Sequence, residues 1–382
     1  MWFLRADILI RMLVATAACA ALFAAARGRA WGRFAPLGLL LVDLALIFYV
    51  SRRLAVFYAG YALVTYGFVL ALGRIKRRRR AWFALLCIGC TAPFFYTRAA
   101  GFFDALPNVL AMVGIAYNML KAVDALYYTY YTGEKIPPLT YANYLLFFPV
   151  ITAGPIFRYR DFIRVLEGLG EISVPLVERS VKRLIRGMFK KVVVLALVTQ
   201  ATGYLTGLPG RWYVSAAVTA LSYATLWLDM SGYADIAIAL GGVMGIRVPE
   251  NFKNPLNSPS LTMFWRNWHI TLSDWIREHV FVVVAGKKLG RAQGALIGFT
   301  MMLFMCLWHE FSLAYLVDGV LLGAVLAAEN LLGITTVNKR KVKRSYYILR
   351  CAVTTGIFAV NSLLLTLGPS GAIAVLRGYL SL

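Results

Sequence analysis

Acidic side chains are scarce in this chain of 382 residues: 17 Asp and Glu stand against 40 Lys and Arg, and charged residues of both signs make up only 15% of it. A soluble domain carries about 25% charged and about 45–50% apolar residues. Here 60% of the residues are apolar, and no section is long and polar enough to form a separate soluble domain. Phosphate loops of the Walker type, a dinucleotide GxGxxG after a strand, HExxH and GxSxG are all missing, which removes the common soluble-enzyme readings. No nucleic-acid module accompanies the net charge of +23. The five cysteines, Cys19, Cys87, Cys90, Cys306 and Cys351, all sit in apolar runs. Cys87 and Cys90 have the spacing of a redox or zinc pair but no second pair, so two small residues at a helix-packing face is the better reading. With two well-separated histidines and scattered carboxylates, no metal site is expected.

Hydrocarbon is what the chain has in abundance. Apolar runs near 8–26, 35–50, 54–73, 81–97, 102–120, 192–209, 212–229, 292–309, 311–333 and 346–367 approach the roughly 20 residues that span a bilayer. They predict one all-α polytopic membrane unit over residues 1–382, with about 10–12 membrane helices plus re-entrant or surface helices. An Arg before the first apolar run resembles a signal peptide, but Asp7 and the spans downstream favour an uncleaved first helix. Lys and Arg cluster between runs, at Arg74 to Arg80, Arg179 to Lys191 and Lys339 to Arg344. The positive-inside rule places those loops in the cytoplasm and accounts for most of the excess charge. What remains favours an acidic cytoplasmic partner through electrostatic steering.

Two stretches break the pattern of simple spans. Between 120 and 190, Pro137, Pro138, Pro149 and the pair Gly154-Pro155 interrupt apolar sequence, predicting short, kinked or re-entrant helices. The basic stretch at 179–191 reads as a surface helix, with Val181, Leu184, Ile185 and Met188 at helical spacing. From 228 to 284 the chain departs again. Asp229, Ser231, Tyr233 and Asp235 head an apolar helix that Ser231 is placed to cap, with Asp235 in its first turn; lining a cavity is the competing role. After a loop with three prolines comes SLTMFWRNWHITLSDWIREHVFVVV, in which Trp265, Trp268, Leu272 and Trp275 share one helical side with His269 beside them. An interfacial aromatic belt would explain the tryptophans, though not the histidine.

Only three histidines occur, His269, His279 and His309. His309 lies in an apolar run of about 35 residues, long enough to contain a transmembrane helix, interrupted only by His309, Glu310 and Asp318. Ionisable groups at membrane depth are costly and face a protein interior or an aqueous cavity. His279, beside Glu278 and near Arg277, reads as a packing residue and receives no role. His309 and His269 predict proton-transfer chemistry in the membrane. A proton-coupled transporter is the alternative, against which stands the lack of an internal repeat. A scaffold in which both histidines pack is a third reading.

The blocks FFPVITAGPIFRYRDF, LDMSGYADIAIALGGVMGIRVPENFKNPLNSPSLTMFWRNWHITLSDWIREHVF and MCLWHEFSLAYLVDGV occur in this order over about 147–284 and 303–320. They resemble the membrane-bound O-acyltransferase family, and within it the bacterial branch of alginate O-acetyltransferases and the D-alanyl transfer protein of teichoic acid modification. The resemblance implies a helical funnel with a central tunnel, N-terminal spans at 1–120, a catalytic core at 121–333 and a C-terminal span at 334–382. It implies His309 as the family's invariant histidine and His269 as its second polar position. Glu310 stands where the family often has Gly, and IREHVFVVV replaces the YIPLGG ending of alginate-type members, an ending closer to the D-alanyl transfer branch.

The implied activity is movement of an acetyl or D-alanyl group from a cytoplasmic thioester to a hydroxyl outside the bacterial inner membrane. His309 is expected to be the base, kept neutral by burial in an apolar tunnel, with His269 orienting the acyl group or the hydroxyl. Trp265, Arg266, Asn267, Trp268, Trp308, Asp229, Ser231 and Tyr233 are expected to line the tunnel. Arg266 or Asn267 would stabilise developing negative charge. No bound cofactor is expected. The donor is a phosphopantetheine thioester on an acidic acyl-carrier protein, docked by Lys190, Lys191, Lys287 and Lys288, or else acetyl-CoA. An acyl-accepting membrane protein outside the cell and the lipid bilayer complete the partners.

Overall fold

The computed structural model describes residues 6–102, 114–167, 172–281 and 290–381. Helices make up the fold, and no strand forms among the described residues beyond one bridge between Phe252 and Trp268. Seven helices among the described residues are long and apolar enough to cross a membrane. The chain is therefore an all-α, multi-pass membrane protein. It divides into two compact units, one of Met1–Ile185 with Ala234–Pro249 and one of Arg186–Tyr233 with Glu250–Leu382.

In the first unit, α1 (Ala6–Ala26), α2 (Ala35–Val50), α3 (Arg52–Arg74) and α4 (Arg79–Phe102) fall on the first four apolar runs. Most of the expected run at 102–120 lies outside the described residues, and α5 (Ile115–Thr132) follows it. The proline-rich stretch is broken as expected, into α6 (Pro138–Leu146) and α7 (Tyr159–Glu167) with a short 3-10 turn (Phe148–Val150) and irregular backbone between them. Backbone that leaves a helix at membrane depth needs partners from the protein, and α2 and α5 supply them. Asp43 Oδ1 accepts from Phe148 N at 2.9 Å. Asn118 Nδ2 donates to Ile151 O at 2.9 Å, and Lys121 Nζ to Leu145 O at 3.1 Å. Asp124 Oδ2 accepts from Tyr159 N at 2.6 Å and from the Tyr144 hydroxyl at 3.0 Å. Gly114 enters α5 with φ 89°, where a Cβ would lie 2.5 Å from Ile151 O, so only glycine fits. The basic stretch forms α8 (Val174–Met188), with Val174, Val181 and Ile185 exposed along one side.

In the second unit, a π-helical turn (Phe189–Val194) leads into α9 (Leu195–Thr206). The next helix, α10 (Trp212–Val243), runs unbroken for 32 residues and passes from the second unit into the first. This corrects the expected helix start at 231: Ser231 caps nothing and Asp235 is not in a first turn. Both carboxylates are engaged by basic side chains, so neither competes for the backbone. Asp229 Oδ1 accepts from Lys191 Nζ at 2.6 Å, and Asp235 Oδ1 from Arg183 Nε at 2.8 Å.

The remaining helices are α11 (Leu261–Trp265), α12 (Ile270–Ile276), α13 (Arg291–His309), α14 (Leu313–Leu332) and α15 (Arg344–Gly378). Helices α13 and α14 form a close hairpin, in which a Cβ at Gly319 would lie 3.0 Å from Leu303 Cα. Small residues at such contacts let backbones approach, which is how helices gain packing energy in lipid. At Gly368 (φ 70°, ψ 176°), just before Pro369, α15 breaks, where the last apolar run ends. Beyond the break, Ala372 and Val375 pack with Leu363 against Val214 and Val218 of α10.

Candidate functional site

The SLTMFWRNWHITLSDW segment does not form the single helix that its spacing predicts. It breaks at His269, which sits in the left-handed region at φ 46°, ψ 49°. Histidine enters that region more readily than most residues, and the preceding loop holds it there. Ile270 N donates to Asn251 O at 3.0 Å, and Lys253 N to Asn267 O at 2.9 Å. Asn251 Oδ1 accepts from Thr271 N at 3.1 Å and from Thr271 Oγ1 at 2.9 Å. The bend turns Trp268 into the protein, where it stacks on Phe264 at 5.3 Å and meets Phe252, Tyr223 and Phe358 edge-on or tilted.

The same bend brings His269 to His309, whose ring centroid lies 6.4 Å away. His309 is the last residue of α13 and also contacts Trp308 and Tyr315, at 4.8 Å and 6.2 Å between rings. The environments of the two histidines reverse the expectation. His309 and Glu310 are exposed at the turn between α13 and α14, because the helix ends there instead of continuing through the apolar run. His269 is the buried one, 2% exposed, and neither ring nitrogen has a hydrogen-bond partner among the described residues. Burial, and then the neighbouring His309, push the His269 imidazole down from its ordinary range to about 3. The neutral imidazole that the sequence assigns to His309 is held at His269.

The same unit holds a cavity of about 340 Å³ whose lining includes neither histidine. Trp265 and Met305, each four residues before one of the histidines, are in its wall, with Met301, Met302, Leu326 and Ile276. Arg266, Arg277, Asp274, Asn330 and Thr335 supply its polar lining. Trp265 Nε1 and Ser273 Oγ, both from lining residues, are buried and have no hydrogen-bond partner among the described residues.

Other residues expected around the tunnel have different surroundings. Asn267 does not line this cavity and donates to Ser258 Oγ at 3.0 Å. Trp268 and Trp308 are buried in the unit's interior. Asp229 and Ser231 lie along α10, with Asp229 committed to Lys191 and Ser231 buried. Tyr233, also on α10, is 5% exposed.

The expected docking lysines also separate. Lys191 is 2% exposed, its ammonium held by Asp229, so it presents no charge to a partner. Lys190 is half-buried, with its ammonium 5.0 Å from the Trp227 ring. Lys287 and Lys288 lie outside the described residues. Reading the sequence missed Asn251, Ser273, Arg277, the methionines of α13 and Glu329. Glu329 had a usable signal, an acidic residue at the end of an apolar run.

The described residues thus set a buried histidine against an exposed one in a multi-pass helical membrane protein. The chain belongs to the membrane-bound O-acyltransferase family, MBOAT, whose model matches residues 116–368. It is 31% identical over 263 residues to the "Probable alginate O-acetylase AlgI" of Pseudomonas putida, covering 68% of this chain and 54% of that protein. It is 27% identical over 236 residues to the teichoic acid D-alanyltransferase of Bacillus subtilis, covering 58% and 60%. A third relative, the peptidoglycan O-acetyltransferase of Helicobacter pylori, is 29% identical over 202 residues, covering 50% and 37%. The chain thus spans about half the length of the curated relatives it matches.

Proposed function

We propose that this protein is an O-acyltransferase of the bacterial inner membrane, moving an acyl group from a cytoplasmic thioester to a hydroxyl on an extracytoplasmic partner or envelope polymer. The observation that carries this reading is the histidine pair, with His309 open at the end of α13 and His269 buried 6.4 Å behind it. His309 is placed to meet an incoming hydroxyl and take its proton as the oxygen attacks the thioester carbonyl. The new C–O bond forms, the C–S bond breaks, and the proton passes from His309 to the departing thiolate. His269, neutral and with neither nitrogen partnered among the described residues, orients the hydroxyl or the acyl group. The Trp265 indole N–H is an available donor for the developing oxyanion.

The cavity supports a donor arriving from the basic side of the membrane. Thr335, in its lining, precedes the cluster Lys339 to Arg344 that the positive-inside rule assigns to the cytoplasm. His309 lies at the opposite end of the α13–α14 hairpin, about 30 Å away for a 20-residue helix. Arg266 and Arg277 in the lining suit an anionic donor, either a phosphopantetheine arm on an acidic carrier protein or acetyl-CoA. Among the relatives, the identity of 31% to the alginate O-acetylase against 27% to the D-alanyltransferase favours acetyl as the acyl group.

The test is to reconstitute the protein with radiolabelled acetyl-CoA, or with an acylated carrier protein, and a polysaccharide acceptor. Label should move to acceptor hydroxyls with the wild type and not with His309→Ala at equal levels of folded protein. Transfer retained by His309→Ala would remove the base assignment. Label crossing the membrane unchanged would make the protein a transporter.

A further inference from the structure

We infer that Glu329 is a positioning residue for His269, a role that rests on the acyl-transfer reading above. Glu329 is buried in the last turn of the apolar helix α14, at 7% exposure. Both of its carboxylate oxygens are used, and by one short piece of chain. Oε1 accepts from Leu261 N at 2.6 Å. Oε2 accepts from Thr262 N at 2.9 Å and from Thr262 Oγ1 at 2.8 Å.

These bonds complete the start of α11. A helix begins with four backbone N–H groups that have no intrahelical partner. In α11, Glu329 takes Leu261 N and Thr262 N and Ser260 Oγ takes Met263 N at 3.1 Å, ahead of the first intrahelical bond from Phe264 N to Ser260 O at 2.9 Å. A five-residue helix makes few bonds of its own, so its direction depends on this attachment. His269 follows four residues after its end. Helix α14, which carries the attachment, packs tightly along α13, which carries His309. Glu329 therefore links the segment bearing one histidine to the hairpin bearing the other, and sets their separation without touching either.

The chemistry of the bonds requires a carboxylate. Three donors converge on the side chain, so a glutamine would turn an amide N–H₂ toward another donor and leave one pair unmade. An anion at a helix N-terminus is also favoured by the helix dipole.

The test uses full-length Glu329→Gln in detergent or nanodiscs, with Thr262→Val as a milder variant that removes only the hydroxyl bond. Two quantities are read: acyl transfer per monodisperse, folded molecule, and the rate of His269 carbethoxylation by diethyl pyrocarbonate relative to His309, resolved by mass spectrometry. The second readout does not depend on the activity. In Glu329→Gln, His269 should react several-fold faster relative to His309, and kcat should fall at least about tenfold with the donor KM within about threefold. Thr262→Val should shift both in the same direction by a smaller factor. His269 as protected as in the wild type would overturn the inference. So would faster carbethoxylation with unchanged kcat, which would also detach His269 from the reaction. Loss of folded protein with unchanged kcat in what remains would reduce Glu329 to a stability element and overturn it equally.

Discussion

Asp43, Lys121 and Asp124 of the first unit and His269 of the second are all buried polar groups, and they are used in opposite ways. In the first, Asp43, Lys121 and Asp124 lie deep among apolar helices, and each makes at least one hydrogen bond, to Phe148 N, Leu145 O and the Tyr159 N–Tyr144 hydroxyl pair. Those bonds go largely to the backbone of the broken segment, so the charges act as structural clamps. In the second unit, His269 is as deeply buried but neither of its nitrogens has a partner among the described residues. Its backbone is fixed by Asn251 while its ring is left uncommitted. Burial alone thus does not separate a structural polar group from a reactive one. What separates them is whether the functional atoms are satisfied.

Three measurements would break or sharpen this contrast. The largest effect is expected at a clamp. Lys121→Met leaves Leu145 O without its donor and removes the cation near Asp43, and breaking a buried charge interaction costs about 3–5 kcal/mol. Size-exclusion chromatography of fluorescent fusions should show little monodisperse protein. Wild-type yield with an unchanged melting temperature would mean that the charges of the first unit do not hold its fold.

Next, His269→Gln should preserve yield and melting behaviour at neutral pH, since no hydrogen bond among the described residues is lost, while acyl transfer falls about 100-fold, the lower range for a positioned acid–base group. Equal loss of folding and transfer would place His269 with the clamps.

The smallest effect is a pH dependence. His269 titrates near 3 when folded and near its ordinary 6.5 when unfolded. Between those values the unfolded chain binds the proton and the folded chain does not. The contribution to stability is therefore intact above about pH 6.5 and is lost as pH falls, by at most about 1.4 kcal/mol per unit. Melting curves of wild type and His269→Gln between pH 7 and 5 should diverge, with the wild type falling faster. Parallel curves would count against the burial of His269.

Much of this was legible in advance, because bilayer-crossing helices have a composition that survives without knowledge of packing. The first four spans, the α13–α14 pair and the broken segment after Pro137 were all readable as apolar runs and punctuation. The two histidines were readable as costly groups. Their roles in the fold were not. A helical wheel assumes a helix, and the bend at His269 is imposed by Asn251, nearly twenty residues upstream. Lys191 looked like one more surface cation until Asp229, on another helix, claimed it. The apolar run around His309, followed to Ala328, stops one residue short of Glu329, whose partners lie nearly seventy positions away. Pairings between distant segments carry no local signature, and they account for most of what the sequence left unread.

The wall of the cavity has a consequence for the range of guests it can hold. Met301, Met302 and Met305 line it side by side, and thioethers on unbranched, freely rotating chains change shape at little cost. Such a surface yields to a larger or smaller guest instead of rejecting it. Under the proposed function, discrimination between an acetyl and an aminoacyl group then falls to the fixed polar atoms Trp265 Nε1 and Ser273 Oγ, because the Asp274 carboxylate is already paired with Arg277 at 2.7 Å. Changing the cargo of such a scaffold would call for exchanging hydrogen-bonding groups at those two positions, with the soft wall left as it is.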